Sequence, residues 1–308
     1  MAAPRPSDHL HMLLATDRSE GSRQHLSYAA RVGNALGARI TLFHALRPRP
    51  LIVNAALDGD EAPIGEDVEQ AERALRDLAT TIGSNRPVAI EVEHRLHGRD
   101  AILAAADRHA ADMLVLPTHA RSGVPRAVLG SVAEHVLRRS VRPVLLLTDR
   151  MLEHEQVAPK RRTAILLATD LSPESRKAHR PAADLAHRLG LELHLLNVLP
   201  EQLPPPYGGG APVAPEPRDE PRRVAERTEE LRRAAVELED AARVECDVRI
   251  AHDASAAIVD AAANGDYALL LLATHGRRGI ARMVHGSVAE QVVRNARTPV
   301  LVMPARGA

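Results

Sequence analysis

The sequence predicts an α/β protein of two tandem doubly wound domains, each an open five-stranded parallel sheet with helices on both faces. The chain has 308 residues, which is enough for two domains of about 150 residues each. Its two halves repeat each other in sequence. Within each half, short unbroken apolar runs alternate with amphipathic segments, and such runs are typical of parallel strands that are covered on both faces.

Four segments of the first half recur in the second half in the same order. This order indicates a duplication, because unrelated matches would not keep it. We predict one domain at residues 1–150, a linker at 151–162 and a second domain at 163–308. The pairs are MLLATD at 12–17 with ILLATD at 165–170, TH at 118–119 with 274–275, GSVAE at 130–134 with 286–290, and RPVLLL at 142–147 with TPVLVM at 298–303.

Each half begins with an apolar strand that ends at Thr16 or Thr169, and a helix follows. In the second half Ser172 is a suitable N-cap and Pro173 fits the first helical position. One face of the helix in the second half is apolar and comprises Ala178, Ala182, Leu185 and Leu189.

Gly37 and Gly190 are predicted to end these first helices, and second strands follow at 40–46 and 193–199. A charged amphipathic helix comes next. Its apolar stripe in the second half is Val224, Thr228, Leu231, Ala235, Leu238 and Ala242. A third strand and helix, a fourth strand, a last helix and a fifth strand complete each half. The fourth strands are predicted at 113–116 and 269–272, and the fifth at 144–147 and 300–303.

Polar or Pro- and Gly-rich segments are predicted to be loops. Residues 201–222 are rich in Pro and Gly and should be extended, and residues 47–67 occupy the matching place in the first half. Residues 149–162 are polar and contain Pro159, so the loop that separates the domains is expected there.

The composition argues against nucleic-acid and membrane partners. Lys+Arg and Asp+Glu are both 40, and aromatic residues make up 1% of the chain. A basic surface and base-stacking platforms are therefore not expected. Residues 1–12 show no signal-peptide pattern, and no apolar run approaches the ~18 residues of a membrane span. Cys246 is the one cysteine and lies in an alternating apolar run, which predicts a buried structural thiol. We expect a cytoplasmic protein.

Polar residues of the repeat follow the first and fourth strands. In a doubly wound sheet, ligands bind beyond the carboxyl ends of the strands where strand order reverses, here between these two strands. The repeat therefore indicates a binding crevice in each half. The residues are Asp17 and Asp170 after the first strand, and His119, Gly130, Ser131, His275, Gly286 and Ser287 after the fourth.

These residues have ordinary structural interpretations as well. Gly286 and Ser287 precede a helix, whose N–H groups and dipole favour an anion, but Ser287 with Glu290 also fits a capping box. Asp170, like Asp17, could contact a ribose or a metal, or it could be a helix-entry cap or a turn residue. His119 and His275 could contact phosphate or be ordinary surface or core residues.

Signatures of catalysis and of metal binding are absent from the sequence. There is no P-loop, no Gly-x-Gly-x-x-Gly dinucleotide motif and no Gly-x-Ser-x-Gly elbow. His9 with His11 and His94 with His97 have short spacings, but neither pair has further ligands nearby in the sequence. We predict no catalytic residues and no metal site.

Each half resembles the universal stress protein domain along nearly its whole length. Nucleotide-binding members of that family share the signature Gly, two residues, Gly, nine residues, Gly, Ser or Thr. The second half departs from it only at Ala273, which stands at the first glycine, since Gly276 and then Gly286 with Ser287 follow at the right spacing. The first half has Pro117 and Ala120 at the first two glycine positions.

The resemblance implies an adenine-nucleotide site, for ATP or a relative with Mg²⁺ as a candidate counter-ion, mainly in the second half. Asp170 would contact the ribose or phosphates, and the backbone around Val198 the adenine. If the position of Ala273 needs positive φ, alanine costs about 1–2 kcal/mol there relative to glycine. If the position needs only a small side chain, alanine is tolerated. The phosphate contacts would be His275, Gly276, Gly286, Ser287 and Val288. The first half, which keeps Asp17, His119, Gly130 and Ser131, would be degenerate.

The function implied is a regulatory or protective role in stress, without a dedicated enzymatic activity beyond slow ATP hydrolysis. A protein that binds partners but no nucleotide is the alternative, in which case Ser131 and Ser287 are helix caps. A third alternative is an enzyme of similar architecture, such as a nucleotidyl transferase or an electron-transfer flavoprotein subunit. Within the family the last strands help to join domains, so we expect the two domains to pack on each other, and further homodimerisation is an option.

Overall fold

The computed structural model describes residues 10–46, 64–94, 98–118, 130–157, 163–201, 219–274 and 288–304. The chain divides into two compact units, Met1–Glu153 and His154–Ala308.

The first unit contains a parallel sheet of five strands in the order β3-β2-β1-β4-β5. Right-handed crossovers place α1 and α2 on one face of this sheet and α3 and α4 on the other, where these two helices pack together. In chain order the elements are β1 (His11–Ala15), α1 (Glu20–Ala35), β2 (Arg39–Leu46), α2 (Ile64–Thr81), β3 (Val88–His94), α3 (Gly98–Arg108), β4 (Met113–Thr118), α4 (Ser131–Arg139), β5 (Val144–Thr148) and α5 (Asp149–Val157).

The second unit repeats this plan, with strands in the order β8-β7-β6-β9-β10, all parallel. Its elements are β6 (Ala164–Ala168), α6 (Pro173–Arg176), α7 (His179–Leu189), β7 (Glu192–Pro200), α8 (Asp219–Val236), β8 (Val244–Ala251), α9 (Ala254–Asn264), β9 (Tyr267–Thr274), α10 (Val288–Asn295) and β10 (Val300–Pro304). The predicted fold class is confirmed in both units.

Strand order reverses at the first strand of each unit. β1 lies between β2 and β4, so the chain leaves it toward one side and returns on the other. β6 lies between β7 and β9 in the same way. The carboxyl ends of β1 with β4, and of β6 with β9, therefore border the crevice where such folds bind ligands.

The core of each unit is aliphatic. Central strand residues such as Leu14, Leu114, Leu167 and Leu271 have no measurable exposure. Phe43, the one phenylalanine of the chain, is equally buried. Burial of this kind contributes roughly 1.5–3 kcal/mol per large side chain, and it explains why the predicted strands are unbroken apolar runs.

The predicted helix ends are confirmed. Ser172 caps α6, accepting a hydrogen bond from the Ser175 N–H, and a proline follows it at the first helical position. Gly37 and Gly190 adopt φ of 62° and 65° after their helices, a conformation that costs glycine nothing.

The first helix of the second unit differs from the prediction because it is divided. α6 ends at Arg176 and α7 begins at His179. Pro181 lies in the first turn of α7, where its missing N–H is tolerated, whereas a continuous helix would bring its ring against the carbonyl of Lys177. The predicted apolar face is retained, since Ala178, Ala182 and Leu185 are buried.

Three predicted loops are shorter than expected. Residues 149–157 were expected in a loop but form α5, because the segment contains few helix breakers before Pro159 despite its polarity. α2 and α8 begin at Ile64 and Asp219, inside the predicted loops. Pro221 is compatible with this, as it lies in the first turn of α8.

Cys246 is half-buried rather than buried, because it lies on β8, the last strand of this unit's sheet order. Burial still raises the pKa of its thiol, and the nearby Arg232 offsets only part of this effect. A raised pKa lowers the thiolate fraction, which agrees with a structural rather than a reactive thiol. Within the described ranges, no helix is long and apolar enough to cross a membrane.

Candidate functional site

Asp170 lies at the carboxyl end of β6, on the turn that leads into α6. Its side chain is exposed, and Oδ1 accepts a hydrogen bond from the Ser172 N–H at 3.0 Å. Leu171, between them, has a φ of 61°. A branched residue in this region is strained, so the turn is maintained by its surroundings. Of the two predicted structural roles, Asp170 holds the turn, and the helix cap is Ser172.

Asp17 occupies the matching turn of the first unit, and its carboxylate bonds both this turn and the first helix. Oδ1 accepts from the Ser19 N–H at 3.0 Å and from the Ser22 hydroxyl at 2.5 Å. The residue between Asp17 and Ser19 is Arg18, with a φ of 62°. The two turns therefore share a backbone conformation but differ in how the aspartate is used.

A buried histidine accounts for the difference between the two aspartates. In the second unit the hydroxyl of Ser175, the counterpart of Ser22, bonds the Thr169 hydroxyl at 2.7 Å. Thr169 also shares a hydrogen bond of 2.9 Å with Nε2 of His179. The first unit has Leu26 in place of His179. Ser175 is thus drawn toward Thr169 and away from Asp170.

His179 is held neutral by its surroundings. Burial, with a smaller contribution from the Arg176 guanidinium, lowers the pKa of His179 to about 4, and the charge of Asp170 acts weakly in the opposite direction. The imidazole therefore takes part in this network as a neutral hydrogen-bonding group at physiological pH.

The end of β7 is tied to the end of β6 by a side chain. Nδ2 of buried Asn197 donates to the Thr169 carbonyl at 2.7 Å. In the first unit, Nδ1 of His44 donates to the Thr16 carbonyl at the same distance. Val198 follows Asn197 and is half-buried. The bond fixes the backbone at Val198 relative to the strand that leads to Asp170.

The register of the sheet brings three predicted site residues together at the carboxyl ends of neighbouring strands. Ala168 of β6 pairs with Leu196 of β7 and with Leu272 of β9. Asp170 and Val198 each lie two residues after this row of paired residues, and Ala273 lies one residue after it. These three residues therefore border the crevice at the strand-order reversal.

Ala273 is an extended strand residue. It pairs with Met303 of β10, and it is not among the residues with positive φ. Alanine is therefore unstrained here, and of the two alternatives for this position only the need for a small side chain remains. Pro117, its counterpart on β4, pairs with Leu147 of β5 but lies beyond the last residue paired with β1.

The N-terminus of α4 differs from the capping alternative. Gly130 is the N-cap, with φ −58° and ψ 146°, and no side chain caps the helix. Ser131 is the first helical residue, one position too late for its hydroxyl to serve as the N-cap. The interpretation of Ser131 as a helix cap is therefore wrong. Gly130 and Ser131 are exposed.

Several predicted site residues lie outside the described ranges. These are His119, His275, Gly276, Gly286 and Ser287. Val288, the first described residue of α10, is 45% exposed. Asn197, Ser175 and His179 belong to the site but were not predicted from the sequence. Their signal is a polar residue in an otherwise apolar strand or helix face, which a repeat comparison could have singled out because Leu26 replaces His179 in the other copy.

Comparison with known proteins identifies similar chains over both units. A model of the universal stress protein family matches residues 10–148 and 162–304. A universal stress protein of Mycolicibacterium smegmatis is 27% identical over 307 residues, covering 96% of this chain and 97% of that protein.

A solved structure shows the same fold. A universal stress protein from Archaeoglobus fulgidus has a TM-score of 0.70 at 21% identity and covers 97% of this chain and 100% of its own. Another structure from Archaeoglobus fulgidus, in complex with dAMP, covers 46% of this chain and 98% of its own at 21% identity and a TM-score of 0.34.

Proposed function

The chain belongs to the universal stress protein family, and from that membership we propose that its second unit binds an adenine nucleotide, ATP or a relative. In this proposal the protein is a regulatory or protective binder rather than a dedicated enzyme.

This proposal rests on three residues that lie together at the carboxyl ends of β6, β7 and β9, namely Asp170, Val198 and Ala273. They lie at the strand-order reversal, and the register of three neighbouring strands positions them together. The carboxylate of Asp170 faces solvent, which suits a hydrogen bond to ribose hydroxyls. Val198 can offer backbone groups and an aliphatic surface to a base. A small residue at Ala273 leaves room beside them.

The matched signature residues would hold the phosphates. Gly276, Gly286 and Ser287 stand at the family positions, and α10 follows them directly. Helix N-termini favour anions through their N–H groups and dipole. The α4 N-terminus supports this role by analogy, since its counterpart serine leaves the first turn uncapped.

We expect one nucleotide per chain. Ala120 replaces the glycine equivalent to Gly276, and a methyl group there would crowd the phosphates. Pro117 adds a fixed φ and removes an N–H in the same half. Titration of the nucleotide-free protein with ATP by calorimetry should saturate near one equivalent. Ligand released from freshly purified, denatured protein should be an adenine nucleotide by mass spectrometry.

Two glycine variants, one in each half, test where the nucleotide binds. Gly276→Ala should weaken binding at least several-fold. Gly130→Ala is the control, because its φ is ordinary and an added Cβ would meet no described atom within 4 Å. Two equivalents of similar affinity, or equal behaviour of the two variants, would contradict the assignment. No binding at all would favour the alternative of a protein that acts through partners alone.

A further inference from the structure

A second cluster of ligand-forming side chains lies at the amino ends of β7 and β8, away from the carboxyl ends that border the crevice. Glu192 and His194 are on β7, two residues apart, and therefore project from the same face. Glu245 of β8 pairs directly with His194 and joins them on that face. One carboxylate oxygen from each glutamate and one ring nitrogen of His194 all lie within 4.8 Å of one another.

The distances within this cluster fit ligands around a small cation. His194 Nε2 is 3.5 Å from Glu192 Oε2 and 3.4 Å from Glu245 Oε2. These separations are long for an N–H···O hydrogen bond. Tetrahedral ligands at zinc bond lengths of roughly 2.0–2.1 Å lie about 3.3–3.4 Å apart. Nε2 is also buried, and within the described part of the chain it has no hydrogen-bond partner.

The remaining atom of each ligand is oriented by a neighbour. His194 Nδ1 lies 3.0 Å from the Tyr267 hydroxyl, and the two rings are edge to face at 5.3 Å. With Nε2 on a metal, Nδ1 carries the proton and donates to this hydroxyl. Arg243 contacts Oε1 of Glu192 at 3.3 Å and Oε1 of Glu245 at 3.4 Å, which leaves both Oε2 atoms toward His194. Such outer contacts are typical of metal centres.

We propose that Glu192, His194 and Glu245 bind a divalent transition-metal ion of the Zn²⁺ class. An imidazole nitrogen with two carboxylates suits Zn²⁺ and its neighbours, whereas Mg²⁺ and Ca²⁺ prefer all-oxygen sites. Three protein ligands leave a fourth position open. The bound ion would join β8, the last strand of this unit's order, to β7.

The first unit provides an internal comparison. Register places Arg39, Thr41 and Ala89 at the positions of Glu192, His194 and Glu245. None of these three side chains is a metal ligand of this kind, so the copy without the cluster should bind no ion there. The proposed site is therefore specific to the second unit.

Zn²⁺ titration of the full-length, chelator-treated, nucleotide-free protein tests the proposal. We expect one Zn²⁺ per chain at this site and no comparable binding of Mg²⁺. Loss of an outer contact typically lowers metal affinity by about 10–100-fold, so Tyr267→Phe should fall in this range and His194→Gln or Glu245→Gln should exceed about 100-fold. His135→Gln is the control, because His135 pairs at 2.8 Å with the single carboxylate of Asp100.

Two further measurements separate this site from weak binding elsewhere, since the chain has 16 histidines. Co²⁺ in the same site should give the intense visible absorption of a four-coordinate ion, and Zn²⁺ should raise the melting temperature. Both effects should be lost in His194→Gln and retained in His135→Gln. If the unmodified chain takes up no Zn²⁺, or if His194→Gln and Glu245→Gln bind it unchanged, the proposal is wrong.

Discussion

Acidification from pH 7 to about pH 4 is expected to destabilise the second unit by up to about 3 kcal/mol through His179 alone. The pKa of His179 is about 4 in the folded protein and 6.5 in its ordinary state. As the pH falls below 6.5, the unfolded chain binds a proton that the folded site does not. The contribution of His179 to the free energy of unfolding is therefore fully present above pH 6.5. It declines as the pH falls, until the folded imidazole is itself protonated near pH 4.

Denaturant unfolding at a series of pH values measures this effect. His179→Leu places in the second unit the residue type that Leu26 provides in the first, and it should remove most of the added pH dependence. His187→Leu changes an exposed histidine of the same helix and serves as the control. Other buried histidines, such as His44, titrate in all three proteins, so the difference between them isolates His179. An unchanged slope in His179→Leu would contradict the prediction.

Asp170→Ala is expected to weaken adenine-nucleotide binding by roughly ten- to a hundred-fold, which corresponds to loss of a hydrogen bond to a charged group at about 1.5–3 kcal/mol. Asp17→Ala should have little effect, because that carboxylate serves Ser19 and Ser22 within its own turn. Calorimetric titration of both variants with ATP gives the comparison.

Asp170→Asn separates ligand contact from support of the turn. The amide oxygen can still accept from the Ser172 N–H, so the turn around Leu171 should persist while the charge is lost. We expect this variant to fold like the unmodified protein and to bind nucleotide weakly. Equal losses from Asp170→Ala and Asp17→Ala would place the nucleotide in both units or in neither crevice.

Much of the fold was predictable because its signals are local. Unbroken apolar runs identify strands, and Ser172 and Gly190 mark helix ends by side-chain and backbone chemistry that acts within a few residues. The repeat then gave the domain plan. α5 was not predicted, because its segment is polar like a loop, although polar residues such as Glu and Arg are good helix formers.

The site was less predictable because it depends on contacts between distant residues. Asp170 could be singled out by its place after a strand, but the bond that diverts Ser175 to Thr169 requires His179 from the next helix. The cluster around His194 was missed for the same reason. Glu245 is far from it in sequence, and only the register of β7 with β8 brings the two together.

β7 links the two proposed sites, with His194 near its start and Val198 near its end. The four intervening steps span about 13 Å of extended chain. A strand that is paired on both sides cannot slide, because a shift would break its backbone hydrogen bonds to β6 and β8. The strand therefore acts as a fixed spacer without two alternative positions. Zn²⁺ affinity should be the same with and without nucleotide, so the free energies of the two binding events add and neither ligand regulates the other.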